Sequence, residues 1–258
     1  MTMAIEQRKR KTIARVPVVI LAAGRGSRLG SLTKSTPKCL LRIGRYPILY
    51  YQIRALEACG FRRLIIVTGY RAYLVRQYIS EFFPAINVRY VHNPYYRTKG
   101  DLYSFYLARR YCRQGVLQIN SDVLFDVDTL RTLLVQRGSA ICLRRGTCGT
   151  EELKAIVRPK TREVVALSKS IPAPDAHGES MGLYHFTATF AREFFRYAGG
   201  LFQRGRFQET RATAITGVLE RGGILFYADV TGRPIMEIDF PADISTAKRQ
   251  ILPDIVIE

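Results

Sequence analysis

The sequence predicts an α/β protein: a mainly parallel sheet flanked by helices, with a smaller β-rich extension. Three observations carry this. From residue 16 to about 139, apolar runs of β type alternate with stretches of helical period. After that the alternation gives way to short β-type runs. And the first apolar run opens directly into a glycine-rich basic loop, LAAGRGSRLGSLTKSTPK (21–38), that contains no acid.

Taken in order, VPVVIL (16–21) reads as a buried strand, with Pro17 tolerable near its start. Pro47 opens a helix over ILYYQIRALEACG that stops at Gly60. RLIIVTG (63–69) is a second strand. Residues 71–83 read as a helix ending before Pro84, with Leu74, Tyr78 and Phe82 on one apolar face. NVRYVH is a strand, and Asp101 is placed to cap a helix over LYSFYLARRYC. GVLQINSD (115–122) is a strand running into an acidic loop, and DVDTLRTLLVQRG is helical. SAICLRR, KAIVRP, EVVALSK and MGLYHFT then predict a mixed or antiparallel extension. Helices over about 189–198 and 207–221, a strand at ILFYADV and a last helix from Pro241 finish the chain. SIPAPDAHGES (170–180) is a Pro/Gly-rich loop placed to cover a site.

Residues 16–258 are expected to form a single domain, preceded by a mobile basic tail over 1–15. That tail has no apolar stretch of the secretory kind. No apolar run approaches the roughly 18 residues needed to span a bilayer, so membrane insertion is not expected. Cys39, Cys59, Cys112, Cys142 and Cys148 are odd in number and lack C-x-x-C spacing, which fits a reduced cytoplasm rather than a disulfide or zinc framework. His92, His177 and His185 show no metal-ligand spacing.

The net charge of +19 calls for an anionic partner. Its distribution says more than its size. No Asp or Glu stands between Glu6 and Glu57, while Arg25, Arg28, Lys34, Lys38, Arg42 and Arg45 crowd that segment. Gly24, Gly26 and Gly30 give G-x-G-x-x-x-G, with Leu29 where a dinucleotide fingerprint needs glycine. Thr33 precedes Lys34-Ser35 where a P-loop needs glycine. What remains is an amide-rich turn that holds an anion, with Arg28 as a planar fork and Lys38 as a point charge for phosphate oxygens.

LAAGRGSRL followed by STPK and LLRIGRYPIL resembles the signature of the nucleoside-triphosphate transferases that activate sugar phosphates and phospho-alcohols. The resemblance continues through GFRRLIIVTGY, LQINSDVLFD, GESMGLYHF and MEIDFPADISTAKR, and covers about residues 16–250. VHNPYYRTKGDLYSFYLAR and IDFPADI look most like the phosphocholine cytidylyltransferase-like branch, which includes inositol-phosphate and phosphonate cytidylyltransferases.

The resemblance implies a Rossmann-like mixed sheet with an acceptor-side β extension. It implies attack by a phosphate or phosphonate oxygen on the α-phosphorus of CTP, with pyrophosphate leaving. The alternative it leaves open is a sugar-1-phosphate nucleotidyltransferase using UTP, dTTP or GTP. By the same resemblance, the catalytic residues are Lys38, Arg28 and Asp122. Leu21, Ala22, Ala23, Gly24, Gly26, Ser27, Arg28, Lys38, Thr68, Gly69 and Tyr70 bind the nucleotide, and Asp122 with Asp239 holds Mg2+. Asp126 and Asp243 are the nearby decoys.

Asp101, Tyr103, Lys154, Glu179 and Gly182 are the acceptor-side candidates. Asp101 stands where the branch usually carries Asn. Lys154 has two readings, an acceptor ligand and an edge-strand surface charge. So have Tyr95, Tyr96, Tyr103, Phe105 and Tyr106: core packing, and a cation–π cage. The expected partners are CTP and a small phosphorylated acceptor, with a homodimer left open. Nucleic acid is not expected, since no binding motif for it appears.

Overall fold

The computed structural model describes residues 16–256. The basic tail over 1–15 lies outside them. Thirteen strands run in chain order: β1 Val18–Ala22, β2 Arg42–Ile43, β3 Tyr46–Pro47, β4 Arg63–Thr68, β5 Asn87–His92, β6 Gly115–Asn120, β7 Val123–Phe125, β8 Ala140–Arg145, β9 Lys154–Arg158, β10 Glu163–Ser168, β11 Gly178–Thr187, β12 Phe226–Asp229 and β13 Ile235–Glu237. The α-helices are α1 Ile48–Ala58, α2 Ala72–Phe82, α3 Asp101–Leu107, α4 Val127–Leu134, α5 Ala188–Gln203, α6 Arg211–Leu219 and α7 Pro241–Thr246.

Nine strands form one sheet in the order β5-β4-β1-β6-β11-β8-β12-β10-β9. The half containing β5, β4, β1 and β6 is parallel. β11 then joins β6 and β8 antiparallel, and β9 and β10 extend the sheet antiparallel. This is the mixed α/β sheet read from the chain. Because side chains alternate along a strand, β1 feeds two cores: Val18 and Ile20 pack on one face with Leu49, Ile53 and Leu130, while Val19 packs on the other with Phe105 and Phe194. Helices cover both faces, which a parallel sheet requires.

Three local expectations are corrected. Pro47 is extended and pairs in β3, so α1 begins at Ile48. Asp101 does not cap α3. Gly100 takes the cap position and Asp101 is the first helical residue, its carboxylate drawn off by Arg211. The fully buried residues of α2 are Val75 and Ile79; of the predicted stripe, Tyr78 is half-buried against the same core, while Phe82 is exposed. α5 also runs past the predicted 198 through Gly199 and Gly200 to Gln203, and at Gly199 the Tyr106 hydroxyl lies 3.1 Å from where a side chain would begin.

The reassigned face of α2 is testable. Ile79→Ala should cost about 2–5 kcal/mol and Phe82→Ala less than about 1 kcal/mol, read from urea unfolding midpoints. Equal losses would return the helix to the other face.

Candidate active site

The site lies at the carboxyl ends of the parallel strands, where open α/β sheets take ligands. β1 ends at Ala22, and the chain turns through Gly24 into 3₁₀ turns over Ser27–Thr33. Gly26 has φ +72°, and a side chain there would begin 3.0 Å from Lys38 Cβ, so only glycine lets the loop close on the lysine stem. Thr33 Oγ1 donates to the Gly26 carbonyl at 2.9 Å. The Tyr70 hydroxyl lies 3.0 Å from the carbonyl oxygen of Thr33 and 2.6 Å from that of Lys34. Tyr70, read from sequence as a nucleotide residue, therefore braces the loop. Neither it nor Thr68 nor Gly69 lines the cleft. Extended Pro37 then turns Lys38 inward.

Lys38 is buried, and its ammonium bridges two carboxylates: Asp122 Oδ2 at 2.8 Å and Asp239 Oδ1 at 2.6 Å. A short ribbon brings these distant residues together. β13 pairs antiparallel with β7, Glu237 opposite Val123, and the Ile238 amide donates to the Asp122 carbonyl at 3.0 Å. Burial alone would lower the lysine pKa, but Asp122 and Asp239 outweigh it and hold the group charged. For Asp239, burial pushes upward, and Lys38 and Arg28 more than offset it. Arg28 Nη2 reaches Asp239 Oδ1 at 3.0 Å. The two decoys are helix devices: Asp126 caps α4 by accepting from the Thr129 amide, and Asp243 accepts from the amides of Asp239 and Phe240, fixing the turn that carries Asp239.

Two cavities, of about 210 and 790 Å3, meet at this cluster and share Asp101, Asn120, Asp122 and Arg211. Leu21, Ala23, Gly24 and Lys38 line the smaller one; Arg28, Lys169 and Asp239 line the larger. The shared wall holds a residue that sequence reasoning missed. Arg211, at the start of α6, donates through Nε to Asp101 Oδ2 at 2.6 Å and through Nη1 to Gln118 Oε1 at 2.6 Å and Asn120 Oδ1 at 2.5 Å. A single arginine after a capping threonine carries no local signal of this.

The other acceptor-side candidates do not line either cavity. Lys154 is buried and donates to the carbonyls of Gly149, Thr150 and Glu152 at 3.2–3.4 Å, so it is no surface charge. Glu179 pairs with Arg144 at 2.6 Å, and burial raises its pKa. Gly182 has φ +68°, and a Cβ there would lie 2.8 Å from Glu237 Oε1 and 2.7 Å from Val123 Cγ2.

Tyr103 and Tyr95, with Phe207, do form a cation–π box, but the cation is the chain's own Lys99, 4.0–4.2 Å from the three ring centres. Phe105 is core. Tyr106 stands edge-on to Phe202, and Tyr96 is tilted against Tyr70. Of the 170–180 loop, Ser170 and Ser180 line the larger cavity.

The cluster fits a hard divalent cation. Asp122 Oδ1 is buried without a hydrogen-bond partner, and two carboxylates suffice where substrate phosphates complete the shell. Among the described residues no group of three or more His, Cys, Asp or Glu could hold a metal unaided.

A mixed sheet whose carboxyl rim joins an amide-rich loop to a cationic and acidic cluster defines a protein that handles phosphate anions. Residues 18–172 match the MobA-like NTP transferase domain, and the chain belongs to that family. It is 30% identical over 251 residues to the CMP-5'-(3-aminopropyl)phosphonate synthase of Streptomyces rubellomurinus, covering 92% of this chain and 39% of that one. It is 23% identical over 248 residues to the CTP:phosphoglutamine cytidylyltransferase of Campylobacter jejuni, covering 88% and 96% respectively. Among solved structures, the CTP:phosphocholine cytidylyltransferase of Streptococcus pneumoniae superposes with a TM-score of 0.78 at 25% identity, over 91% of this chain and 98% of that one.

The acid cluster predicts a pH dependence. Burial, with Asp122, Glu179 and Asp239 nearby, pushes the Glu237 carboxyl from 4.5 up to about 8. The folded state therefore holds this proton more tightly than the unfolded chain, and stability is lost as pH rises through that interval. In metal-free buffer the melting temperature should fall from about pH 5 to about pH 9. Glu237→Gln should flatten that fall, and an unchanged slope would place the titration elsewhere.

Proposed function

We propose that this protein transfers CMP from CTP to a phosphorylated alcohol or phosphonate. The observation that carries the reading is the Arg28–Lys38–Asp122–Asp239 cluster at the junction of two cavities. The smaller, lined by Leu21, Ala23, Gly24 and Gly100, suits the nucleoside; the larger, where Arg28 and Lys169 stand beside Asp122 and Asp239, suits an acceptor phosphate accompanied by a divalent cation. The activities named for the relatives support the same assignment.

An acceptor oxygen bonds to the α-phosphorus, and the bond from that phosphorus to the bridging oxygen of the β-phosphate breaks. Pyrophosphate departs with the bonding pair. A phosphate monoester is already an anion at neutral pH, its second pKa being about 6, so no general base is needed. In keeping with this, neither cavity is lined by His or Cys. Positioning and charge neutralisation carry the rate. Lys38 donates to charge that builds at the α-phosphate, and Arg28, more exposed at the rim, anchors the β and γ groups. Asp122 and Asp239 would hold Mg2+. When bound, the ion would neutralise phosphate charge. The five cysteines, which form no disulfide, suit a reducing cytoplasm.

The deciding measurement is pyrophosphate release across a matrix of nucleoside triphosphates and phosphorylated acceptors. CTP with a phospho-alcohol or phosphonate should turn over fastest. A preference for UTP, dTTP or GTP with a sugar 1-phosphate would overturn the reading.

In the same assay Lys38→Ala should lower kcat about 100-fold or more, the scale of losing one preorganised donor. A change confined to KM would make Lys38 a binding residue only. Asp122→Asn, Asp239→Asn and EDTA should each abolish turnover, whereas Asp126→Asn should retain it. The reverse pattern would show that the metal pair is wrongly assigned.

A further inference from the structure

The parallel strands have a second rim, away from the site. At the amino ends of β1, β4, β5 and β6 a cavity of about 730 Å3 opens, within the usual size of a small-ligand pocket. Five arginines line it: Arg62 and Arg63 at the start of β4, Arg89 on β5, and Arg110 and Arg113 between α3 and β6. Among the described residues no acidic side chain does. Arg62 pairs with Glu57 at 3.3 Å, but among the described residues Arg63, Arg89, Arg110 and Arg113 form no ion pair.

Tyr111 organises two of these forks. Its ring centre lies 5.6 Å from the Arg89 guanidinium and 4.7 Å from that of Arg110, whose Nη2 donates to the Tyr111 hydroxyl. The floor is apolar and buried, formed by Phe61, Leu64 and Ile65. The cavity thus combines concave walls, apolar lining residues and planar donors contributed by three segments. Like charges gathered this way repel one another, and a bound anion relieves the repulsion.

We infer that this rim is a second anion site, separate from the catalytic cleft, whose ligand is a small polyphosphate, either free or as the phosphate chain of a nucleotide. Guanidinium forks match phosphate oxygens two at a time. A concave, open rim of this size suits a compact anion better than the extended backbone of a polymer. None of this depends on which nucleotide the catalytic cleft accepts.

The test is calorimetry in EDTA on the full chain, with inorganic tripolyphosphate, CTP and a short single-stranded RNA as separate probes. The Arg28→Ala/Lys38→Ala variant, which lacks the catalytic cations, should still bind tripolyphosphate. Adding Arg89→Ala, Arg110→Ala and Arg113→Ala to it should weaken that binding about tenfold or more, as expected for lost charge-assisted bonds. The three rim substitutions alone should leave kcat within about twofold, which shows an intact fold and cleft. CTP binding the Arg28→Ala/Lys38→Ala variant more tightly than tripolyphosphate identifies a nucleotide as the source, and the opposite order a free polyphosphate. The inference is overturned if that variant binds no tripolyphosphate, if the rim substitutions leave its binding unchanged, or if the RNA binds the rim about tenfold tighter than either small anion.

Discussion

The ammonium of Lys38, held between Asp122 and Asp239, is the contact on which the rest of the site depends. Its three members come from a loop after β1, the turn after β6 and the turn after β13, so the contact forms only once the sheet and the β7–β13 ribbon are in place. Burying three charges is costly, and such clusters are weak sources of net stability. Here the cost is met by geometry useful elsewhere. In the proposed reaction an incoming phosphate chain would compete with the carboxylates for the lysine, and carboxylates so released would need another cation. Arg28, already on the same Asp239 oxygen, ties the exposed rim of the loop to this exchange. The lysine is therefore the point where the loop's cations and the two carboxylates are balanced against each other.

The sequence was legible wherever the signal was local. NVRYVH matches β5 residue for residue, and the apolar runs of β1, β4 and β6 fall where their composition put them. The antiparallel extension after residue 139 also follows the weakening of the alternation. What failed was set by contacts distant in sequence. The buried face of α2 turns on Val75 and Ile79 because the sheet selects one of two apolar stripes. Asp101 has the composition of a cap, yet a stronger partner 110 positions away removes it from that role. Lys154 looks like an edge charge until the loop over 149–152 folds onto its ammonium. Arg211 left no trace at all, since a buried arginine is written like an exposed one.

Charge follows the same division. The excess of +19 is a property of the composition, but what matters is where the sheet sends it. At the carboxyl rim cations alternate with Asp101, Asp122, Glu237 and Asp239, so the field there is structured and depends on what is bound. At the amino rim the cavity lining carries arginines and, among the described residues, no acid, so the field there is of one sign. Uniform fields recruit anions with little discrimination, whereas mixed clusters discriminate by geometry.

The wall between the two cavities shows how one residue shifts that balance. Asp101 neutralises Arg211, whose remaining donors are taken by Gln118 and Asn120. With asparagine at this position, as the resembled branch usually has, the guanidinium would keep its full charge toward the larger cavity. With aspartate the pair is neutral and fixed in direction, and Arg28 and Lys169 are the cations left on that cavity's walls to meet an anionic group. Lys99 works in the same sense from the smaller side. It lines the smaller cavity while its ammonium is held in the box of Tyr95, Tyr103 and Phe207. Both Arg211 and Lys99 thus have internal partners for their charge, so neither is a free cation at the junction of the cavities.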